Sequence, residues 1–452
     1  MFDKKYKMFI LIIFLFLLFL LFNLILVPTN LDEIWNYGFS HNLYAGLVPY
    51  KDFNMIITPV YPFIMSLGFH IFGSSMLVFH IEHAIILICL CVLLFLLIDK
   101  KAWIIIALIL IPFNVSFPSY NIFLYFLLVL IIYLEKENRS DYLIGFVLGI
   151  CFLTKHSICL CLILPSLYYI KDFKKIGRRF LGFIIPVGIF IFYLVITKSL
   201  MPFIDLCILG LFDFASENGK SFNLYFFLFI IMVGITIYFI IKDRKNLVNY
   251  YILAFYSIMI PLFDIYHFMV AFLAFLILIL SKVKKDIIKP SLFGISIILF
   301  AVLLLMDSRF KSKIIYPNNI KHFEYRFIDY DSILFTNKVN DYIKKNSDRE
   351  FVFLNSNGYY FRLINDMDIS YIDLINAGNW GYNGSDKLLN EIKNRKNSIF
   401  LVDKSELSPI KQSDKQALNY VIDNGKKIGN IDFFDIYVFD EENNSWNVFY
   451  KL

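Results

Sequence analysis

Long runs of apolar residues are the feature that most constrains this chain. The first covers Met8 to Val27 without a charge, and further runs follow as far as residue 306. Hydrophobic residues make up 59% of the chain, whereas roughly 45–50% is usual in soluble domains. Because about 20 apolar residues are needed to cross a bilayer core, the sequence predicts a polytopic α-helical membrane protein with about 11 spans.

Basic clusters predict how the chain is oriented. Lys4, Lys5 and Lys7 precede the first run and predict a cytoplasmic N-terminus, because cytoplasmic loops are enriched in Lys and Arg. Four later clusters also fall on the cytoplasmic side if residues 60–73 form a juxtamembrane helix that does not cross; these are 99–101, 171–179, 242–245 and 282–289. The net charge of +6 then reflects cytoplasmic loops and does not indicate nucleic-acid binding.

The composition changes after residue 306. Residues 307–452 are polar, with β-like runs such as FVFLNS, SIFLVD and FFDIYVF between helix-like runs. Alternating strands and helices predict a small α/β domain. We therefore predict a transmembrane catalytic domain over 1–306, with a large first outer loop at 28–75, and an extracytoplasmic α/β domain over 307–452.

Two adjacent carboxylates, Asp32 and Glu33, directly follow the first apolar run. Neighbouring residues point in different directions in a helix or a strand, so the two are not expected to share a proton and their roles should differ. The alternative is that they only end a helix or face water. Other polar residues predicted at the same membrane face are Asp52, Tyr120, Asn121, Lys155, His156, Asp205, Asp264 and His267.

The pattern around this pair resembles the GT-C membrane glycosyltransferases, in particular the branch of protein O-mannosyltransferases and lipid A aminoarabinose transferases. The matching features are an Asp-Glu pair, a Gly-x-x-Pro-Tyr-x-Asp stretch, a Phe-Gly after a Pro-containing helix, a Tyr-Asn helix start and a Gly-rich helix ending in Thr-Lys. In this chain they are Asp32 and Glu33; Gly46, Pro49, Tyr50 and Asp52; Phe72 and Gly73; Tyr120 and Asn121; and Gly145, Gly149, Thr154, Lys155 and His156. The resemblance covers about the first 170 residues.

The resemblance implies transfer of a hexose or pentose from a polyprenyl-phosphate carrier to a cell-envelope glycan, lipid or teichoic-type polymer on the outer face, with inversion. Asp32 and Glu33 are the expected catalytic residues, with Asp32 as general base, since a weakly nucleophilic hydroxyl needs a proton acceptor. The expected donor- or acceptor-binding residues are Tyr50, Asp52, Tyr120, Asn121, Lys155 and His156. No metal ligand is predicted, and a divalent cation is the one cofactor left open.

Some features depart from this pattern or remain ambiguous. Many relatives carry an Arg about seven residues after the Phe-Gly, where this chain has His80, and Glu82 could pair with His80 or His83. Near the C-terminus, Trp380 lies in a Gly-rich stretch that fits a carbohydrate-stacking loop or a plain turn before a helix capped by Ser385.

Two other functional classes remain open. One is a transporter or flippase for lipid-linked saccharides, which would carry charged residues at mid-membrane in several helices. The other is a non-catalytic envelope assembly protein that retains the fold.

Overall fold

A computed structural model describes residues 13–17, 31–110, 117–219, 222–282, 314–315, 320–324, 328–367, 372, 374–409 and 411–439. The chain divides into two compact units. The first comprises Met1–Pro49, Ile57–Met201 and Gly219–Asp329, and the second comprises Tyr50–Ile56, Pro202–Asn218 and Tyr330–Leu452.

The first unit is built from α-helices. Their bounds are α1 Leu31–Tyr44, α2 Val60–Phe72, α3 Met76–Ile98, α4 Ala102–Leu110, α5 Tyr120–Lys136, α6 Asp141–Thr154, α7 His156–Ile163, α8 Phe173–Ile196, α11 Leu224–Lys242, α12 Leu247–Phe255 and α13 Ile265–Lys282. A short antiparallel pair of strands, β1 Ile314–Ile315 and β2 Ile328–Asp329, completes the described part of this unit.

Four of these helices, α3, α8, α11 and α13, are long and apolar enough to cross a membrane. Helix α2 has 13 residues and would extend about 20 Å at 1.5 Å per residue, which is shorter than a hydrocarbon core of about 30 Å. This agrees with a juxtamembrane helix at 60–73. Most of the run 8–27, all of 291–306 and the predicted domain boundary lie outside the described residues, so the number of spans and the boundary stay predictions.

Helices α6 and α8 pack backbone to backbone. A Cβ on Gly145 would meet the carbonyl oxygen of Arg179, and one on Gly149 would lie 2.5 Å from Cγ of Pro186. Small residues at such a contact let apolar helices approach closely where burial from water gives no driving force. Close packing on α8 therefore constrains the position of α6, whose last residue immediately precedes Lys155.

The second unit contains a four-stranded sheet in the order β3, β4, β6, β5. Its strands are β3 Phe351–Leu354, β4 Ile399–Asp403, β5 Lys426–Ile431 and β6 Phe434–Val438, and its helices are α9 Leu200–Phe203, α10 Gly210–Asn218, α14 Tyr330–Lys345, α15 Gly358–Ile364, α16 Gly384–Asn394 and α17 Lys415–Asn424. Strands β3 and β4 are parallel and buried along their whole length, as their uninterrupted apolar sequences require. The runs FVFLNS, SIFLVD and FFDIYVF thus form β3, β4 and β6.

Two short segments from the membrane-associated part of the sequence complete the second unit. Asn54 donates from Nδ2 to the carbonyl of Asn379 at 2.7 Å. In the other segment, a π-helical turn at Ile204–Leu209 joins α9 to α10, and Asp205 pairs with Lys387 at 2.5 Å. These contacts hold residues 50–56 and 202–218 to the α/β fold.

The Gly-rich stretch near Trp380 is part of this fold. The Trp380 side chain is buried in the core and donates from Nε1 to the carbonyl of Leu374 at 2.5 Å. Helix α16 begins at Gly384 with Asn383 as its N-cap residue, so the prediction of Ser385 as the cap was wrong. Because its indole is buried, Trp380 does not present a surface on which a sugar could stack, whereas Tyr382 in the same stretch is exposed.

Candidate active site

The two adjacent carboxylates lie in the first turn of α1, where negative charge interacts favourably with the helix dipole. They have different surroundings. Glu33 is buried, and its Oε1 lies 2.6 Å from Nε2 of His80 on α3. Asp32 instead interacts electrostatically with Lys155, Asp264 and His267. The expectation that the pair does not act as a dyad agrees with this geometry, and His80 pairs with Glu33.

Lys155 lies where one apolar helix ends and the next begins. It has extended backbone angles between Thr154, the last residue of α6, and His156, the first of α7. Its Nζ donates to Oδ1 of Asn121 at 3.3 Å and lies 5.2 Å from the centre of the Tyr120 ring. The break between the two helices thus directs the ammonium group toward the start of α5.

A hydrogen-bonded chain joins the starts of α5 and α13. The hydroxyl of Ser119 lies 2.6 Å from that of Tyr266, and its oxygen also accepts from the backbone N–H of Asn121 at 3.1 Å. Ser119 is the N-cap of α5, a position that favours serine because its side chain satisfies a free N–H. This chain links the residue before His267 to the residue that contacts Lys155.

Asp264 and His267 form a pair at the start of α13. Nδ1 of His267 lies 3.0 Å from Oδ2 of Asp264, and Oδ1 of Asp264 accepts from the backbone N–H of His267 at 2.9 Å. In the sequence they were only two of several polar residues expected at one membrane face. Their spacing, an Asp three residues before a His at a helix start, is the local signal that indicates the pair.

Opposing effects set the basicity of Asp32, which lies beyond the first apolar run. Burial raises the pKa of its carboxyl group above the usual value, His267 and then Lys155 lower this pKa, and Asp264 raises it. Burial also lowers the pKa of the Lys155 ammonium to about 8, against the attraction of Asp32 and Asp264. The site therefore combines a carboxylate of raised pKa with an ammonium group of lowered pKa.

The other predicted site residues are distributed as follows. Tyr120 and Asn121 contact Lys155. The His156 ring is buried, 6.3 Å from the ring of Phe152. Tyr50 and Asp52 belong to the second unit, where the buried Tyr50 ring lies 5.1 Å from that of Phe203. The roles of all these residues in binding stay predictions.

Within the described part of the chain, no three His, Cys, Asp or Glu side chains are grouped so that they could hold a metal ion. The question of a divalent cation is therefore left as the sequence posed it.

Comparison with known proteins identifies the fold. No protein-family model and no curated protein matches the sequence. ArnT from Cupriavidus metallidurans bound to undecaprenyl phosphate aligns with a TM-score of 0.58 and 11% identity over 96% of this chain and 98% of that chain. The apo form of ArnT aligns with a TM-score of 0.55 and 11% identity, over 96% of this chain and 98% of that chain. An oligosaccharyltransferase from Archaeoglobus fulgidus in complex with Zn and sulfate aligns at 12% identity over 87% of this chain and 68% of that chain. Its TM-score of 0.44 is too low to support a conclusion about the fold. The chain thus has the fold of these ArnT structures, in agreement with the motif resemblance.

Proposed function

We propose, on the premise that this chain has the GT-C fold of ArnT, that it is a membrane glycosyltransferase. It transfers a sugar from a polyprenyl-phosphate donor to a cell-envelope glycan, lipid or teichoic-type polymer on the outer face of the membrane. The observation that carries this proposal is the coupling of Asp32 to Lys155 and His267 at the ends of apolar helices. The ArnT structure that holds undecaprenyl phosphate supports the choice of carrier.

The reaction needs one base and little acid. The acceptor oxygen attacks the anomeric carbon opposite the phosphate, its proton passes to Asp32, and the electron pair of the breaking carbon–oxygen bond goes to the phosphate. A carboxylate within hydrogen-bond reach of the hydroxyl can serve as this base. Because the leaving phosphate is an anion, it needs cationic contacts more than a proton. Lys155 supplies one such contact.

The raised pKa of Asp32 suits this role. Burial makes its carboxylate a stronger proton acceptor than an exposed aspartate, and His267 and Lys155 favour its ionised form. Glu33 has a different part, since its carboxylate is engaged by His80 in a buried pair. We assign to Glu33 the positioning of α1, and through it of Asp32.

Asp32→Asn tests the proposal because it preserves shape and removes the proton acceptor. The assay is release of polyprenyl phosphate by purified protein in detergent, from a panel of short-chain polyprenyl-phosphate hexoses and pentoses with a crude envelope acceptor. We expect turnover to fall about 10²- to 10⁴-fold, the usual contribution of a positioned base. Donor binding should change far less.

Asp423→Asn is the matched control, because Asp423 is an exposed aspartate on α17 in the second unit. It should turn over like the wild type. If Asp32→Asn is as active as this control, Asp32 is not the base and only begins a helix.

A further inference from the structure

Lys155 is not the only basic side chain that acts on the Asp32 carboxyl group. His267 lowers the pKa of Asp32 more than Lys155 does. The hydrogen-bonded chain from Tyr266 through Ser119 to Asn121 connects the start of α13 to the Lys155 contact. These hydrogen bonds join the residue before His267 to the residue that Lys155 contacts.

The imidazole of His267 is held in a defined orientation. It is buried, with 6% of its surface exposed, and its Nδ1 is engaged by the carboxylate of Asp264 at 3.0 Å. A carboxylate bound to Nδ1–H stabilises the imidazolium and leaves Nε2–H as the donor for a ligand. The pair thus holds an oriented imidazole at the start of α13.

Lys155 and His267 are both basic side chains that act on the Asp32 carboxyl group. Asp32 and Asp264 are two carboxylates, and the hydroxyls of Tyr120 and Tyr266 add no charge. In its imidazolium form, the His267 side chain would offer a phosphate a second charge-assisted contact beside Lys155.

We propose that His267, oriented by Asp264, is a second cationic contact for the phosphate of the donor, beside Lys155. The inference rests on the proposed function, because it assigns a residue to the donor site of that reaction. His267 contacts the ligand, whereas Asp264 is a positioning residue that acts through it. The ligand chemistry is a lipid-linked phosphate.

The test compares two probes that differ only in the phosphate: a short-chain polyprenyl monophosphate and the uncharged polyprenol of the same length. Binding of each is measured with the purified full-length protein in detergent. His267→Gln should weaken polyprenyl phosphate binding about 10- to 100-fold, as expected for loss of a charge-assisted hydrogen bond. Polyprenol binding should not change, which also shows that the variant is folded.

His70→Gln is the matched control, since His70 is an exposed histidine on α2 whose described contact is with the ring of Tyr44. It should bind both probes like the wild type. Asp264→Asn should weaken phosphate binding less than His267→Gln, and it should have no further effect in the double variant. An additive effect would mean that Asp264 does not act through His267.

The outcomes separate the two proposals. If the wild type binds the phosphate no better than the alcohol, the polyprenyl-phosphate donor and the proposed function are wrong. If the wild type prefers the phosphate and His267→Gln keeps this preference, the inference about His267 is wrong and the proposed function stands.

Discussion

At the scale of single residues, the adjacent carboxylates of α1, Asp32 and Glu33, have different partners. Asp32 interacts with charged groups of two other segments, the junction of α6 and α7 and the start of α13, whereas Glu33 is buried and paired with His80. That the two side chains diverge follows from helix geometry alone. The identity of the partner of Glu33 did not follow from the sequence, because His80 lies 47 residues away and pairing with Glu82 was equally consistent with the local pattern.

The pKa of Lys155 leads to a prediction about the basic limb of the pH profile. Because burial lowers this pKa to about 8, the ammonium should lose its proton as the pH rises through that value. The phosphate contact then loses its charge, and kcat/KM for the donor should fall above about pH 8. Lys155→Arg keeps a positive charge at all these pH values, so the basic limb should disappear or move upward even if the maximal rate is lower.

The measurement is kcat/KM for a polyprenyl-phosphate sugar between about pH 6 and 10, the interval that includes the titration of Lys155. Lys245→Arg serves as the matched control, because Lys245 is an exposed cation in a predicted cytoplasmic loop. This variant should show the same fall of kcat/KM at basic pH as the wild type. An unchanged basic limb in Lys155→Arg would show that another group causes it.

At the scale of elements, the position of Lys155 depends on how α6 packs on α8. Gly145 and Gly149 are one helical turn apart on α6, and each leaves no space for a Cβ against α8. The sequence showed both glycines and the Thr-Lys that follows, but it did not show which helix they face. That partner depends on contacts between segments about 35 residues apart, such as Gly145 with Arg179, and local periodicity carries no information about such contacts.

Gly149→Ala tests this packing. Its Cβ would lie 2.5 Å from Cγ of Pro186 and 2.8 Å from the backbone oxygen of Phe183, so α6 and α8 must move apart. Overpacking of this kind costs about 1–3 kcal/mol. We expect a lower thermal midpoint in detergent, together with a higher KM for the donor because α6 ends beside Lys155.

Gly188→Ala on α8 is the control, because the nearest atom to its Cβ would be Cγ2 of Ile184 at 3.9 Å. Both variants replace a helical glycine by a better helix former, so the difference between them isolates the steric effect. Equal stability of the two variants would contradict the importance of the glycine contact.

At the scale of the whole molecule, local signals identify elements better than they identify the units that those elements form. The strands of the second unit followed from short β-like runs between helix-like runs. The inclusion of residues 50–56 and 202–218 did not, because it depends on contacts such as that from Asn54 to Asn379, which are 325 residues apart. For the same reason, the sequence predicted Asp264 and His267 at one membrane face but did not predict that they interact with Asp32.

The orientation of the chain in the membrane is the prediction that belongs to this scale. The basic clusters predict a cytoplasmic N-terminus and an extracytoplasmic C-terminal domain. Ser347 and Arg244 are both exposed side chains, one after α14 of the second unit and the other between α11 and α12. Ser347→Cys should therefore react with a membrane-impermeant thiol reagent in intact cells, whereas Arg244→Cys should react only after the membrane is opened. The wild-type protein, with its six cysteines, gives the background for both. Labelling of Arg244→Cys but not Ser347→Cys in intact cells would reverse the orientation, and it would place the Asp32 site on the cytoplasmic side.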